Sequence, residues 1–310
     1  MNNKDQSPIN IYFQEDNLQM WIEAFLQDRK IQNLSMRTLE FYLCKLNNFI
    51  NFCESKAVKN IMQITPNLLR QYLLEHERIG HNPGGCHAAY RTVKTFLRWW
   101  ENEVEPQGWT NPIKKVKAPK MSIEPLDPVD IEAVKAMMAV CPHNLTGHRD
   151  KAMMLFLLDT GVRARELVSI KLEDVNPITG DVLVRVGKGR KPRIVYLGSK
   201  SRKALRAYLR LRHDHCEALW ITDEKEWLTF WGVKSLMIRR ANQAHVKTPQ
   251  LHAFRRWFAL SCLRAGMNVY SLQELMGHAD LQVLRRYLKQ TNQDIREAHR
   301  RAGPVDNAGM

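Results

Sequence analysis

The chain has 310 residues, of which 44% are hydrophobic, and its 47 Lys and Arg against 32 Asp and Glu give a formal net charge of +15. This length suits two domains of ordinary size, and the apolar content excludes a disordered tail. The charge indicates a polyanionic partner, most commonly nucleic acid, with general basicity for solubility as the alternative. The sequence contains no run of about 18 apolar residues, so no membrane span is predicted. The first residues lack signal-peptide features.

Residues 10–105 show repeated helical periodicity, which predicts a compact four-helix domain. Ser35 is a predicted cap of the second helix. Thr65 is the predicted cap of the third helix, with Pro66 at its first position. The sequence NPGG at 82–85 predicts a turn before the fourth helix.

The fourth helix carries basic residues on one face and aromatic residues on the other. Arg91, Lys94 and Arg98 are candidates for DNA contact, or they form an ordinary solvated face. Trp99 and Trp100 are interpreted as core anchors in preference to groups that stack on DNA.

Residues 106–128 are rich in proline and predict an extended basic linker. Lys114, Lys115 and Lys117 would lie near phosphates if two domains closed around a duplex, although the segment could be only a spacer. The predicted organisation places domains at 1–112 and 127–302, a linker at 113–126 and a flexible tail at 303–310.

The second domain is predicted to be mainly helical, with a mixed α/β character that comes from one small antiparallel sheet. Alternating runs at 181–186 and 193–197 predict two strands, and the residues between them form a hairpin tip dense with cations. Helices are predicted on either side of this hairpin, near 129–140, 152–158, 200–212, 228–245, 253–265, 271–277 and 280–301.

Six scattered cysteines without a CxxC pair predict reduced thiols in a cytoplasmic protein. His213, His215 and Cys216 lie close together in the sequence. Because no second ligand pair follows at zinc-finger spacing, we predict no metal site there. No cofactor is expected.

Six polar residues of the second half have the chemistry of a phosphotransfer site that needs no metal. Arginines bind phosphate, lysine and histidine transfer protons, and tyrosine can attack phosphorus. The six are Arg163, Lys188, His252, Arg255, His278 and Tyr287. The excess charge lies with them, because residues 1–120 carry a net +4 and residues 121–310 a net +11.

The motifs TGVRARELVSIKLEDV, VGKGRKPRIVYL, LHAFRRWFALSCLRAG and LQELMGHADLQVLRRYLK resemble those of the tyrosine recombinase (phage integrase) family. They occur in the family's order and spacing across the whole second domain. The N-terminal helices are similar to the family's core-binding, DNA-clamping domain, with a weaker sequence signal.

The resemblance implies a site-specific DNA recombinase that cleaves and rejoins strands through a 3′-phosphotyrosyl intermediate. Tyr287 resembles the nucleophile, and Arg163 and Arg255 resemble the pair that clamps the non-bridging oxygens. Because the covalent link conserves the energy of the broken bond, neither ATP nor metal would be needed.

Two of the remaining residues resemble the family's proton-transfer groups. Lys188 resembles the general acid that protonates the leaving 5′-oxygen, and His252 resembles the group that assists proton transfer at the tyrosine. His278 resembles the residue that hydrogen-bonds the scissile phosphate. Glu166 is interpreted as structural, paired with a nearby cation. Arg256 departs from the histidine of many members and joins Arg190 and Lys191 as a candidate phosphate contact.

The expected partner is double-stranded DNA with inverted-repeat core sites, bound by a homo-oligomer that forms a tetramer on DNA. Helix begins near residue 16, which favours short core sites over a need for distant arm sites. The task could be integration, excision or resolution of a mobile element or replicon. The alternatives are a topoisomerase IB-like nicking-closing enzyme and a non-catalytic DNA-binding regulator.

Overall fold

The structure is a computed structural model that describes residues 17–120, 127–185, 192–277 and 292–308. The chain divides into two compact units, Met1–Ile123 and Glu124–Met310. The hydrophobic cores of the two units consist of separate sets of residues. In the described ranges no helix is both long and apolar enough to cross a membrane.

The described part of the first unit contains four α-helices, each of which starts at a polar cap. They are α1 (Leu18–Ile31), α2 (Met36–Ser55), α3 (Pro66–Arg78) and α4 (Pro83–Val104). The predicted caps are confirmed, because Ser35 accepts from the Thr38 N–H and Thr65 accepts from the Leu68 N–H.

The turn predicted at 82–85 is wrong, because helix α4 already begins at Pro83. The Asn82 side chain accepts from the Gly85 N–H at 2.8 Å and thereby caps the helix. Asn followed by Pro is a turn signal, but it is equally the cap and first residue of a helix. The two glycines therefore lie within the first turn of α4.

Aromatic side chains hold α1 against α4. Phe25 and Phe96 are fully buried, with ring centroids 5.6 Å apart. Trp100 is only 1% exposed and meets Trp21 edge to face, which confirms its prediction as a core anchor. Trp99 is half-buried and packs on Phe25 at 5.4 Å.

The extended linker prediction is wrong for its first part, because Pro112–Lys115 forms a 3₁₀ helix that belongs to the first unit. Ile113 and Val116 are buried in that unit's core. The Tyr90 hydroxyl donates to the Val116 carbonyl at 3.0 Å. Composition suggested an extended segment, but two apolar residues among the lysines are enough to bind it to α4.

We expect Ile113→Ala to destabilise the first unit by about 2–4 kcal/mol, because it leaves a cavity in a closed core. Hydrogen exchange on the full chain should then show faster exchange in peptides of α3 and α4 and unchanged exchange in the second unit. Lys117→Ala, at an exposed position of the same segment, is the control and should leave exchange unchanged. Equal exchange in wild type and Ile113→Ala would contradict the packing.

The second unit is mainly helical with a two-stranded sheet. Strands β1 (Asp181–Val184) and β2 (Arg193–Tyr196) pair antiparallel, with Val184 opposite Arg193, which confirms the predicted hairpin strands. Among the described residues of this unit the helices are α5 (Ile131–Ala139), α6 (Leu145–Thr160), α7 (Ala164–Ser169), α8 (Ser199–Leu209), α9 (Phe230–Gln243), α10 (Leu251–Arg264), α11 (Val269–Met276), α12 (Asn292–Ala302) and α13 (Pro304–Asn307).

Helix α6 is the centre of this unit and is buried over most of its length. It is longer than the predicted 152–158, because polar residues of its first turns are also buried. Asp150 accepts hydrogen bonds from Arg149 at 2.8 Å and from Arg240 of α9 at 2.8 Å. A buried carboxylate needs such partners, so this cluster fixes α9 on α6.

Candidate active site

Three of the six predicted site residues line one cavity of about 840 Å³ in the second unit. Arg163 precedes α7, and His252 and Arg255 lie in the first turns of α10. Lys188, His278 and Tyr287 lie outside the described residues, as do the predicted DNA contacts Arg190 and Lys191.

A left-handed glycine turns the chain from α6 towards Arg163. Gly161 ends α6 with a φ of 58°, and its N–H donates to the Leu157 carbonyl. A Cβ at this position would lie 2.3 Å from Cδ1 of Phe258, so only glycine fits here. The sequence TGVR therefore contains a helix end whose geometry places Arg163 at the start of the next helix.

Arg255 connects this turn to the end of α11. Its side chain is only 1% exposed, and Nη1 donates to the Gly161 carbonyl at 2.7 Å. Nη2 donates to the Met276 carbonyl at 2.6 Å. The planar guanidinium, with five donors in a fixed fork, can serve two carbonyls of different segments and still present other donors to the cavity that it lines.

Glu166 is the most heavily hydrogen-bonded carboxylate near the cavity. It accepts from the Arg163 backbone N–H and from Arg163 Nη1, both at 2.8 Å. It also accepts from Arg193 Nη2 at 2.8 Å and Nη1 at 3.2 Å. The prediction that Glu166 pairs with a nearby cation is confirmed.

These contacts keep Glu166 ionised. Burial acts to raise its pKa, but hydrogen bonds from Arg193 and Arg163 outweigh burial and lower the pKa from 4.5 to about 2. The site therefore carries a fixed negative charge beside Arg163 at every pH where the protein would be used.

Because the pKa of Glu166 is lowered on folding, its stabilisation is present above about pH 4.5 and is lost as the pH falls towards 2. A lowering from 4.5 to about 2 corresponds to about 3 kcal/mol. We expect the free energy of unfolding of the wild type, measured with urea, to fall steeply between pH 5 and 2. The free energy of unfolding of Glu166→Gln should fall less over the same range. Glu132→Gln, at an exposed carboxylate, should behave as wild type. An equal pH dependence of the free energy of unfolding in the wild type and both variants would refute the expectation.

The surroundings of His252 favour its neutral form. Partial desolvation of the ring lowers its pKa, and the nearby guanidinium groups of Arg255, Arg256 and Arg163 lower it further. Its place in the first turn of α10 acts in the same direction, because the helix dipole is positive at that end. A neutral imidazole next to three arginines can accept a proton at neutral pH.

Four residues at the cavity were missed by the sequence analysis: Arg165, Phe230, Trp231 and Lys234. Trp231 is 68% exposed, and the Lys234 ammonium lies 5.3 Å from its ring centroid. The Arg165 guanidinium lies 5.9 Å from the Phe230 ring. The sequence does contain a signal for this part of the cavity. Two adjacent aromatic residues are followed by a lysine three positions later, on a helix that needs only one buried face.

The remaining candidate DNA contacts occupy different environments. Arg91 and Arg98 are exposed, and the Lys94 ammonium lies 5.8 Å from the Tyr90 ring centroid. Lys115 and Lys117 are exposed, whereas Lys114 pairs with Glu101 at 2.5 Å. Arg256 is only 5% exposed, and its Nε donates to the Asp127 carbonyl at 2.7 Å.

No cluster of His, Cys, Asp or Glu capable of holding a metal ion occurs within the part of the chain that the structure describes. His213, His215 and Cys216, considered above as zinc ligands, form no such group.

Comparison with known proteins identifies this arrangement. Residues 129–294 match the phage integrase family. The tyrosine recombinase XerC of Leptospira interrogans is 31% identical, and the alignment covers 94% of this chain and 96% of the relative. The chain thus belongs to the phage integrase family of tyrosine recombinases, enzymes that cleave and rejoin DNA at specific sites.

Solved structures share the fold across both units. A lambda integrase tetramer bound to a Holliday junction matches with a TM-score of 0.71 at 16% identity, covering 90% of this chain and 83% of that one. The XerH site-specific recombinase, in a post-cleavage complex with a palindromic difH substrate, matches with a TM-score of 0.71 at 18% identity, covering 92% of this chain and 84% of that one. At these identities the likeness establishes the fold.

Proposed function

We propose that this recombinase cuts DNA through a 3′-phosphotyrosyl intermediate with Tyr287 as the nucleophile. The Tyr287 oxygen forms a bond to the scissile phosphorus, and the bond from phosphorus to the 5′-oxygen breaks. His252 takes the tyrosine proton, and Lys188 protonates the leaving 5′-oxygen. His278 donates a hydrogen bond to the phosphate. Rejoining is the reverse step, with the 5′-hydroxyl of another strand as the attacking group.

The observation that carries the proposal is the convergence of Arg163, His252 and Arg255 on one cavity. Negative charge builds on the non-bridging oxygens as phosphorus becomes pentacoordinate. Two guanidinium groups fixed by Glu166 and by backbone carbonyls would stabilise that charge without reorganising. The neutral state of His252 supports its assignment as the proton acceptor.

The proposed substrate is double-stranded DNA with an inverted-repeat core site, bound by four copies of the chain at synapsis. The match to a lambda integrase tetramer on a Holliday junction supports this assembly, as does the match to XerH on a palindromic site. The similarity to XerC supports a role in which a mobile element or replicon is integrated, excised or resolved. The second-domain limits 127–302 remain part of the proposal, with the linker confined to residues after Val116, which lies in the core of the first unit.

The first test is covalent capture of DNA. Wild-type protein incubated with DNA from its native locus, in EDTA, should give an SDS-resistant adduct, and Tyr287→Phe should give none. Tyr270→Phe is the matched control, because Tyr270 is 69% exposed on α11 and should keep full adduct formation. Wild type that binds this DNA without forming an adduct would refute the mechanism, and nicked or relaxed products without recombinant junctions would favour a topoisomerase-like reaction.

The pH dependence of cleavage tests His252. If its neutral form accepts the proton, cleavage is lost as the pH falls through its lowered pKa, so the acid limb should have its midpoint below 6.5. His252→Gln should cleave about 10²–10⁴-fold more slowly and lack that limb. Single-turnover rates on a nicked substrate between pH 5 and 9 provide the measurement. An unchanged acid limb in His252→Gln would assign the titration to another group.

A further inference from the structure

Arg193 is a buried arginine that none of the proposed chemical steps uses. It is the first residue of β2, and its side chain is only 8% exposed. A buried guanidinium is costly unless its donors are bound, so its partners indicate why it is there. Those partners come from two different segments of the second unit.

The first partner of Arg193 is Glu166, which accepts two of its N–H groups at 2.8 and 3.2 Å. The second is the Leu275 carbonyl at the end of α11, which accepts from Nε at 2.7 Å. The next carbonyl in the chain, that of Met276, accepts from Arg255. Two arginines therefore hold consecutive carbonyls where the helix dipole is negative.

Close packing supports the same contact. Gly277 ends α11 with a φ of 60°, and a Cβ there would lie 3.1 Å from Cδ of Arg193. In the sequence Arg193 follows Lys188 by five residues, and Leu275 precedes His278 by three. The side chain of Arg193 thus connects three of the four sequence motifs, because Glu166, Arg193 and Leu275 belong to the first, second and fourth of them.

The charges explain why an arginine is needed at this position. Arg163 and Glu166 alone would form a neutral pair, and the carboxylate would compete with DNA phosphate for the Arg163 guanidinium. With Arg193 the cluster holds two positive charges and one negative charge, so one positive charge remains. Arg163, which is 27% exposed, is the member that lines the cavity.

We propose that Arg193 is a positioning residue for DNA cleavage. It neutralises Glu166 so that the charge of Arg163 acts on the scissile phosphate, and it fixes the end of α11 beside the Arg255 anchor. Arg193 itself need not contact DNA. This inference rests on the proposed phosphate-clamping roles of Arg163 and Arg255.

The test separates DNA binding from cleavage in four variants of the full chain. They are Arg193→Gln, Arg193→Lys, Glu166→Gln and the double variant of Arg193→Gln with Glu166→Gln. Band shifts give the Kd for the native site, and single-turnover adduct formation gives the cleavage rate. Arg202→Gln is the matched control, because Arg202 in the same unit donates to the Ile178 and Thr179 carbonyls and should cleave as wild type.

We expect Arg193→Gln to cleave at least about tenfold more slowly while its Kd changes less than about threefold, since the lost interaction acts in the transition state. Arg193→Lys, which keeps the charge, should lose less. The double variant should cleave faster than Arg193→Gln alone, because removal of the carboxylate charge frees Arg163.

Three outcomes would overturn the inference. They are a wild-type cleavage rate in Arg193→Gln, a parallel loss of binding and cleavage, and a double variant no faster than Arg193→Gln. Wild-type adduct formation is measured in the same series. If the wild type itself forms no adduct, the proposed mechanism of cleavage fails as a whole. If the wild type forms the adduct and one of the three outcomes is found, only the role of Arg193 fails.

Discussion

The contacts of buried arginines with backbone carbonyls are the constraint on which the rest of the site depends. Arg255 reaches the turn after α6 and the end of α11 at once. A lysine could not replace it, because one ammonium cannot meet two carbonyls and a phosphate in a fixed plane. Arg255 also lines the cavity, so one side chain serves both the packing of these segments and the proposed chemistry.

Glu166 shows how a negative group can serve a site that is proposed to bind a polyanion. It caps α7 through the Arg163 N–H and orients the Arg163 side chain. Its charge would oppose phosphate binding if nothing else balanced it. Orientation and charge balance are therefore separate requirements, met by separate residues, and a site described only by the groups that touch phosphate omits the second requirement.

The sequence predicted those features that depend on local chemistry. Ser35, Thr65 and the two strands follow from caps and alternation, and each is found where it was predicted. The segment after Pro112 was mispredicted, because its overall composition is that of a linker. Its structure depends on the burial of only two residues, Ile113 and Val116. Arg163, His252 and Arg255 were recognised from family motifs, since no periodicity connects residues 92 positions apart.

Arg193 could not be found in this way. Its partners are 27 and 82 residues away, and in the sequence it is one cation among several at the end of a basic hairpin. The position of the exposed Trp231 beside the cavity could not be predicted either. A helical pattern shows which face is apolar but not which exposed residue borders a cavity. Both depend on tertiary packing, which local patterns do not encode.

The two carbonyls that hold Arg255 belong to the main chain, and this has a consequence for evolution. Exchange of neighbouring side chains leaves main-chain acceptors in place as long as the helices keep their ends. The rim of the cavity, with Trp231 and Lys234 on α9, can therefore vary in sequence while Arg255 keeps its position. The proposed phosphate clamp can thus be kept while the residues around the cavity are exchanged.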